Sequence, residues 1–221
     1  MDTKLVIFDL DGTLLDTLDD LCAAVNAALE SEGFPPRTRD EVRRFVGNGI
    51  GKLIDRAVPE DCAKPVRDRV YTAFTAYYEE HCMDKTASYP GVLSLLEKLR
   101  AQGVHTAVVS NKADFAVKKL CETLFGGLTE FAVGERADLR RKPAPDMVFA
   151  ALERFGVSPA DAVFVGDSEV DVLTAKNAGV RGISVLWGFR DRDVLSSHGA
   201  AVFAADAGTL YRLIAAAKRT Q

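Results

Sequence analysis

The segment VIFDLDGTLLDT, residues 6–17, begins as an apolar run and ends in a cluster of carboxylates. Its start, within KLVIFD at residues 4–9, is short, apolar and rich in strand-forming residues, which predicts a buried strand of a parallel sheet. Asp9, Asp11 and Asp16 then follow in close succession. Like charges repel one another, and a buried carboxylate without a partner is costly. The segment therefore predicts a nearby cation or a charged ligand.

Further apolar runs predict the rest of a sheet. They are VHTAVVS at residues 104–110, AVFVGD at 162–167, RGISVL at 181–186, AAVFA near Ala201 and, more weakly, EFAVG at 130–134. Helical patterns such as GVLSLLEKLRAQG and PDMVFAALERFG lie between them and stop at glycine, as helix C-termini do. Alternating strands and helices predict an α/β fold with a doubly wound, Rossmann-like parallel sheet.

One region departs from this alternation. Residues 18–87 contain only helical patterns, and the turn signal SYPGV at residues 88–92 follows them. We therefore expect an all-helical cap domain, residues 16–87, inserted directly after the first strand. Residues 1–15 and 88–221 would form the α/β core domain.

Composition narrows the class of protein. The 221 residues include 28 basic and 32 acidic ones, for a net charge of −4, and no long run of either sign indicates binding to nucleic acid or to a membrane surface. The four cysteines show no C-x-x-C spacing, which argues against a metal cluster. No window approaches the roughly 18 apolar residues of a membrane span. We expect a cytoplasmic protein, monomeric or homodimeric, whose partner is a small polar or anionic molecule.

Polar residues stand where three of the predicted strands end. Asp9 ends the first, Ser110 and Asn111 end the second, and Asp167 ends the third. Ligands of open parallel sheets bind at the carboxyl ends of the strands, so these side chains are expected to converge. Lys142, in the loop RKPAPD at residues 141–146, adds a cation. An alternative is that Ser110 and Asn111 cap the next helix.

The chemistry of these groups favours a phosphorylated ligand. Asp9, Asp11 and Asp167 offer the hard oxygen ligands that suit Mg²⁺, and the ion would also relieve their repulsion. Lys142 and the hydroxyl and amide groups after the second strand could neutralise and orient a phosphoryl group. Gly12 would let the backbone turn closely around the ligand.

Carboxylates can also act as nucleophiles, which points to phosphoryl transfer through a covalent intermediate. In an alternating strand Asp9 and Asp11 would point to the same side, so one could attack phosphorus while the other protonates the leaving oxygen. The spacing alone does not assign the two roles.

Four short segments resemble, in order, the four motifs of the haloacid dehalogenase superfamily. They are DLDGT at residues 9–13, SNK at 110–112, KPAPD at 142–146 and GDSEVD at 166–171. The helical insertion resembles the C1 cap of phosphatases in that superfamily. The second aspartate, Asp11, is absent from true dehalogenases, so the resemblance implies a phosphohydrolase.

The resemblance also implies roles. Asp9 would be the nucleophile, Asp11 the general acid and then base, and Ser110 and Lys142 would contact the phosphate and the intermediate. Mg²⁺ would be held by Asp9, the main-chain carbonyl of Asp11 and Asp167. Asp171, about one helical turn after Asp167, would support the metal shell or Lys142. The other substrate contacts implied in the core are Gly12, Thr13 and Asn111.

The stretch FVGNGIGKLI at residues 45–54 looks like the corresponding cap loop of phosphoglycolate phosphatases. ISVLWGFRDRDVL, residues 183–195, resembles their endings. Main-chain groups around Asn48 and Gly49 would then contact a substrate carboxylate, with Arg43 or Arg44 as further candidates. The alternative is a simple helix break without a substrate contact.

These patterns together predict a Mg²⁺-dependent phosphatase that hydrolyses a small phosphomonoester, 2-phosphoglycolate first, through an aspartyl phosphate. A phosphatase for pyrophosphate, a sugar phosphate or a nucleotide, or a phosphomutase, would use the same motifs. A non-catalytic binding protein of the same fold is the alternative from another class. A phosphorylatable receiver domain would not carry a long helical insertion after the first acidic motif.

Overall fold

A computed structural model describes residues 3–216. The chain forms two compact units. One consists of the chain up to Leu15 together with the chain from Ser88 onward, and the other is Asp16–Ala87. Residues 1–2 and 217–221 of the predicted core domain lie outside the described residues.

The larger unit is built on a six-stranded sheet. Its strands are β1 (Leu5–Phe8), β4 (His105–Ala113), β5 (Phe131–Glu135), β6 (Ala162–Gly166), β7 (Arg181–Val185) and β8 (Phe203–Ala204). They lie in the order β5-β4-β1-β6-β7-β8, and every described pairing is parallel. Counted along the chain this is the order 3-2-1-4-5-6 of a doubly wound sheet. The predicted Rossmann-like α/β fold is confirmed.

The central strand positions the site. β1 is buried along its whole length, as its uninterrupted apolar sequence requires of a strand covered on both faces. Phe8, its last residue, pairs with Val108 of β4 and Val165 of β6. The Asp9 N–H continues the ladder by donating to the Val165 carbonyl at 2.8 Å. The residues that follow these three strands therefore leave the sheet at one edge.

Helices flank the sheet. They are α5 (Val92–Ala101), α6 (Asp114–Phe125), α7 (Asp146–Phe155), α8 (Glu169–Ala178), α9 (Arg192–Ser197) and α10 (Ala207–Ala215), with a short 3₁₀ helix at Pro159–Asp161. Three of these helices end at glycines with left-handed backbone, Gly126, Gly156 and Gly179, as the sequence pattern predicts.

The smaller unit contains four helices, α1 (Leu18–Glu30), α2 (Arg39–Phe45), α3 (Gly49–Ala57) and α4 (Lys64–His81). Two short strands, β2 (Leu15–Asp16) and β3 (Ala87–Ser88), pair where the chain passes between the units. The residue pattern does not predict these strands, because two residues are too few to show a period. No helix in the described part of the chain is long and apolar enough to cross a membrane.

A buried carboxylate joins the two ends of this unit. Asp20, in the first turn of α1, is 2% exposed. It accepts hydrogen bonds from the Lys85 N–H (3.0 and 3.1 Å), the Thr86 N–H (2.9 Å) and the Thr86 hydroxyl (2.8 Å). The carboxylate thereby satisfies main-chain donors that a two-residue strand leaves without partners.

Replacing Asp20 with alanine is expected to lower the free energy of unfolding by about 3 kcal/mol, because several buried donors lose their acceptor together. Asp19→Ala is the matched control, since this exposed neighbour pairs only with Arg39 at the surface in the described contacts. It should change stability by less than about 1 kcal/mol. Urea unfolding curves measure both, and equal losses would contradict the role given to Asp20.

Candidate active site

A buried lysine lies between two carboxylates at the edge where β1 and β6 end. Lys142 is 3% exposed, and its Nζ is 2.7 Å from Asp9 Oδ1 and 2.7 Å from Asp171 Oδ1. The Asn111 side-chain amide donates to the Lys142 carbonyl at 3.0 Å, which ties the lysine loop to β4. The structure thus brings together residues from four segments far apart in sequence.

Lys142 and Asp9 form an ion pair, but Lys142 Nζ approaches Asp9 Oδ1 outside the angles of a regular hydrogen bond. Among the described residues, Asp9 Oδ1 is buried and receives no hydrogen bond. The Lys142 ammonium lies 2.7 Å from this oxygen, and a carboxylate oxygen has a further lone pair that can bind another ligand.

Asp167 and Asp171 are held more completely. Asp167, 1% exposed, accepts from the Thr13 hydroxyl at 3.0 Å and from the Phe189 main-chain N–H at 2.7 Å. Asp171 Oδ2 accepts from the N–H and the hydroxyl of Ser168, at 3.0 and 2.6 Å, in a capping box at the start of α8. This local structure turns Asp171 back toward Lys142.

The electrostatics of this cluster favour an additional cation. Carboxylate oxygens of Asp9, Asp167 and Asp171 lie within 4.8 Å of one another. Burial, and then the charge of Asp171, raise the pKa of Asp9 to about 7, although Lys142 opposes the shift. Burial, followed by the charges of Asp171 and Asp9, also raises the pKa of Asp167 well above its ordinary value.

Lys142 itself stays charged. Burial acts to lower its pKa, but the carboxylates of Asp171 and Asp9 outweigh burial and raise it. One ammonium group therefore faces three buried carboxylates, so the cluster has more acidic than basic groups. Hard carboxylate oxygens, one of them without a hydrogen bond, are the donor set that suits Mg²⁺. The residues present fit a divalent ion.

Asp11 is not one of the three clustered carboxylates, although its charge contributes to the raised pKa of Asp9, and it has its own partner. The Lys112 ammonium donates to both Asp11 oxygens, at 3.0 and 3.1 Å, and the lysine side chain is 4% exposed. Strand alternation does not govern Asp9 and Asp11, because β1 ends at Phe8, and their orientation to the same side stays a prediction. The chain instead turns after Asp11, where Gly12 has φ +85°.

Ser110 and Asn111 lie buried within β4, which continues to Ala113. The Ser110 hydroxyl accepts from the Lys112 N–H at 3.3 Å. The alternative that these two residues cap the next helix is wrong, because α6 begins after Ala113 and has no side-chain cap. Their polar groups are therefore held at the strand end rather than at a helix terminus.

The predicted cap residues lie in the other unit. Asn48 and Gly49 form the break between α2 and α3, where Gly49 has φ +81°. The side-chain oxygen of Asn48, Oδ1, accepts from the Arg56 guanidinium at 2.8 Å. Arg43 and Arg44 lie in the last turn of α2. The helix break is thus present, and the contact with substrate stays a prediction.

A family model described as haloacid dehalogenase-like hydrolase matches residues 6–185. The chain belongs to this family. Phosphoglycolate phosphatase 1 of Pseudomonas aeruginosa is 37% identical over 193 residues, 84% of this chain and 70% of that protein. A phosphoglycolate phosphatase of Chromobacterium violaceum is 35% identical over 201 residues, 88% of this chain and 90% of its own length.

Solved structures agree with this membership in the haloacid dehalogenase-like hydrolases. A crystal structure from Lactobacillus delbrueckii subsp. bulgaricus has a TM-score of 0.93 at 39% identity and covers 97% of this chain and 99% of that one. A predicted phosphoglycolate phosphatase from Haemophilus somnus has a TM-score of 0.90 at 28% identity, with coverages of 96% and 98%. The resemblance found in the four motifs is confirmed, and so is the class of enzyme, a phosphoric monoester hydrolase.

Gly12 gives a test of how closely this hydrolase site is packed. A Cβ at Gly12 would overlap the Asp167 carboxylate. Gly12→Ala is therefore expected to displace Asp167 and to reduce kcat/KM by at least about 100-fold, since small misplacements in a catalytic site have effects of that size. Steady-state kinetics with Mg²⁺ measure it.

Gly33→Ala is the matched control, because Gly33 has a similar φ of +71° but nothing within 4 Å of an added Cβ. Gly33→Ala should lower the free energy of unfolding by about 1 kcal/mol through backbone strain, and it should keep its activity. Equal losses of activity in the two variants would contradict the importance of the close approach.

Sequence reasoning missed two parts of the site. Lys112 had no predicted role. It lies near the end of a largely apolar strand, and a buried lysine in such a place needs a partner carboxylate. The sequence also does not reveal the Phe189 N–H, because a main-chain donor leaves no mark in the residue pattern.

Proposed function

We propose that the protein hydrolyses a small phosphomonoester, with 2-phosphoglycolate as its preferred substrate, through an aspartyl phosphate on Asp9. The observation that carries the proposal is the buried Asp9 carboxylate, paired with Lys142, in a cluster that has more acidic than basic groups. A nucleophile in such a place can approach a phosphoryl group whose own charge requires cations.

In the first step an Asp9 oxygen forms a bond to phosphorus while the bond from phosphorus to the ester oxygen breaks. The leaving oxygen takes a proton from Asp11. Lys142 lies against Asp9 and contacts the phosphoryl oxygens, and the Ser110 hydroxyl and Asn111 amide orient them. Asp171 keeps Lys142 charged and in place.

In the second step Asp11 removes a proton from water, and the water oxygen attacks phosphorus. The bond from phosphorus to Asp9 breaks, which releases phosphate and restores the carboxylate. Asp9, the Asp11 carbonyl and Asp167 would hold Mg²⁺, which would supply positive charge for the phosphoryl group.

The choice of substrate is supported by the names of the relatives and by the cap sequence. Main-chain groups at Asn48 and Gly49, with Arg43 or Arg44, would bind the carboxylate of 2-phosphoglycolate. A larger substrate would have to make different contacts in the cap. A cytoplasmic location and a monomeric or homodimeric state stay predictions.

A panel of phosphate esters tests the proposal. Phosphate release would be measured for 2-phosphoglycolate, 3-phosphoglycerate, pyrophosphate, a hexose phosphate and a nucleoside monophosphate, each with Mg²⁺ and with a chelator. We expect release only with Mg²⁺ and the highest kcat/KM for 2-phosphoglycolate, because discrimination is expressed in that ratio. A higher value for another ester would overturn the substrate assignment, and an isomeric sugar phosphate as product would indicate a mutase.

A further inference from the structure

The loop that follows β7, residues 186–190, lies directly against Asp167. It falls outside the residues matched by the family model and has no part in the steps above. The Phe189 N–H donates to Asp167 Oδ2 at 2.7 Å. Gly188 approaches so closely that a Cβ there would overlap both Asp167 and the Gly12 carbonyl oxygen. Only glycine at this position lets the loop reach the carboxylate.

The same loop also reaches the other Asp167 oxygen, through a second residue. The Trp187 indole N–H donates to the Thr13 carbonyl at 3.0 Å, and the Thr13 hydroxyl donates to Asp167 Oδ1 at 3.0 Å. Thr13 is 1% exposed, so few other donors can reach its carbonyl. Each oxygen of Asp167 is thus held either by the loop or by a residue that the loop anchors.

The far end of the loop is anchored as well. The Arg190 guanidinium donates to Glu169 at 2.8 Å, and the two side chains are 11% and 23% exposed. Glu169 opens α8, two residues after Asp167. The loop is therefore anchored near one end by Trp187 on Thr13 and at the other end by Arg190 on Glu169.

We infer that residues 186–190 are a positioning element for Asp167, and that Trp187 is the positioning residue that holds Thr13 and the carboxylate in the orientation that binds a divalent cation. The inference rests on the proposed role of Asp167 as a metal ligand. A carboxylate whose two oxygens are oriented by fixed donors loses less freedom when it binds an ion, so its affinity is higher.

The first experiment uses the single tryptophan of the chain as its own probe. The full-length protein, freed of metal with a chelator, would be titrated with Mg²⁺ without substrate while the tryptophan emission is recorded. We expect a saturable change in the wild type and none in Asp167→Asn. A wild type that binds Mg²⁺ without any change in emission would overturn the coupling of Trp187 to the site.

The second experiment measures Mg²⁺ affinity by calorimetry in Trp187→Phe, which keeps an aromatic ring but loses the indole N–H. We expect affinity to fall about tenfold, as is typical for the loss of a group that orients a ligand. Phe155→Leu is the control for lost stability, since this ring stacks on His105 at the opposite edge of the sheet. It should bind Mg²⁺ as the wild type does.

These outcomes distinguish the positioning role of Trp187 from the metal-binding role of Asp167. Unchanged affinity in Trp187→Phe, with binding lost in Asp167→Asn, would overturn the positioning role and leave the metal site standing. Equal weakening in Phe155→Leu would also overturn it, because general destabilisation would then explain the effect. Full binding in Asp167→Asn, or no binding by the wild type, would overturn the metal assignment in the proposed function and the inference with it.

Discussion

Replacing Asp9 with asparagine is expected to lower kcat by at least about 10⁴-fold, because an amide oxygen cannot form the covalent phosphoryl intermediate. The fold should persist, since asparagine has nearly the same shape and removes a charge from a cluster of like charges. Phosphate release with Mg²⁺ and the far-UV circular dichroism spectrum measure the two effects. Asp193→Asn, at an exposed position of α9, is the control and should keep full activity.

Asp9→Asn is also expected to change how the free energy of unfolding depends on pH. Folding raises the pKa of Asp9 from 3.8 to about 7, so the folded protein favours the protonated carboxyl. The stability from this group is complete below pH 3.8 and is lost as the pH rises toward 7. In chelator, Asp9→Asn should therefore lose less stability than the wild type over this range. Parallel curves, or activity that survives the substitution, would contradict the assignment of Asp9.

Replacing Lys142 with methionine is expected to lower the free energy of unfolding of the metal-free protein by about 4 kcal/mol, since it leaves buried carboxylates without their cation. The loss should be greater at pH 8 than at pH 5.5, because the raised pKa of Asp9 lets that group take up a proton at the lower pH. Urea unfolding at the two pH values measures it. Added Mg²⁺ should restore part of the stability.

Two variants serve as controls for Lys142. Lys4→Met removes an exposed lysine that lies 3.1 Å from Asp161 at the surface, and it should change stability by less than about 1 kcal/mol. The double variant Lys142→Met/Asp171→Asn removes one carboxylate together with the cation and should be more stable than Lys142→Met alone. If the double variant were less stable, repulsion between carboxylates would not be the cause.

Much of the architecture could be predicted because it depends on patterns of many residues. Short apolar runs and glycine-terminated helices are repeated often enough to indicate a parallel sheet. The rule that such sheets bind ligands at their carboxyl edge then brings Asp9, Ser110 and Asp167 together before any distance is known. Lys142 could be included only through the order of the four motifs, since a lone loop lysine carries no signal.

The remaining features depend on where individual groups point. The ion pair of Lys112 with Asp11 forms just beyond the end of β1 at Phe8, and no period marks the last residue of a four-residue strand. Asp20 accepts from main-chain donors far along the chain, and Asp167 likewise accepts from the main-chain N–H of Phe189. Main-chain partners are the same for every residue type, so composition and spacing cannot reveal them.

The pairing of β2 with β3 also bears on how this chain can evolve. Paired strands lie about 4.8 Å apart, so the helical insertion departs and returns at neighbouring points. A gene can therefore lengthen, shorten or replace the stretch between these points while the sheet order and the acidic cluster are inherited unchanged. Under the proposed function, in which the insertion contacts the substrate, hydrolytic chemistry and substrate recognition can then diverge at different rates within one chain.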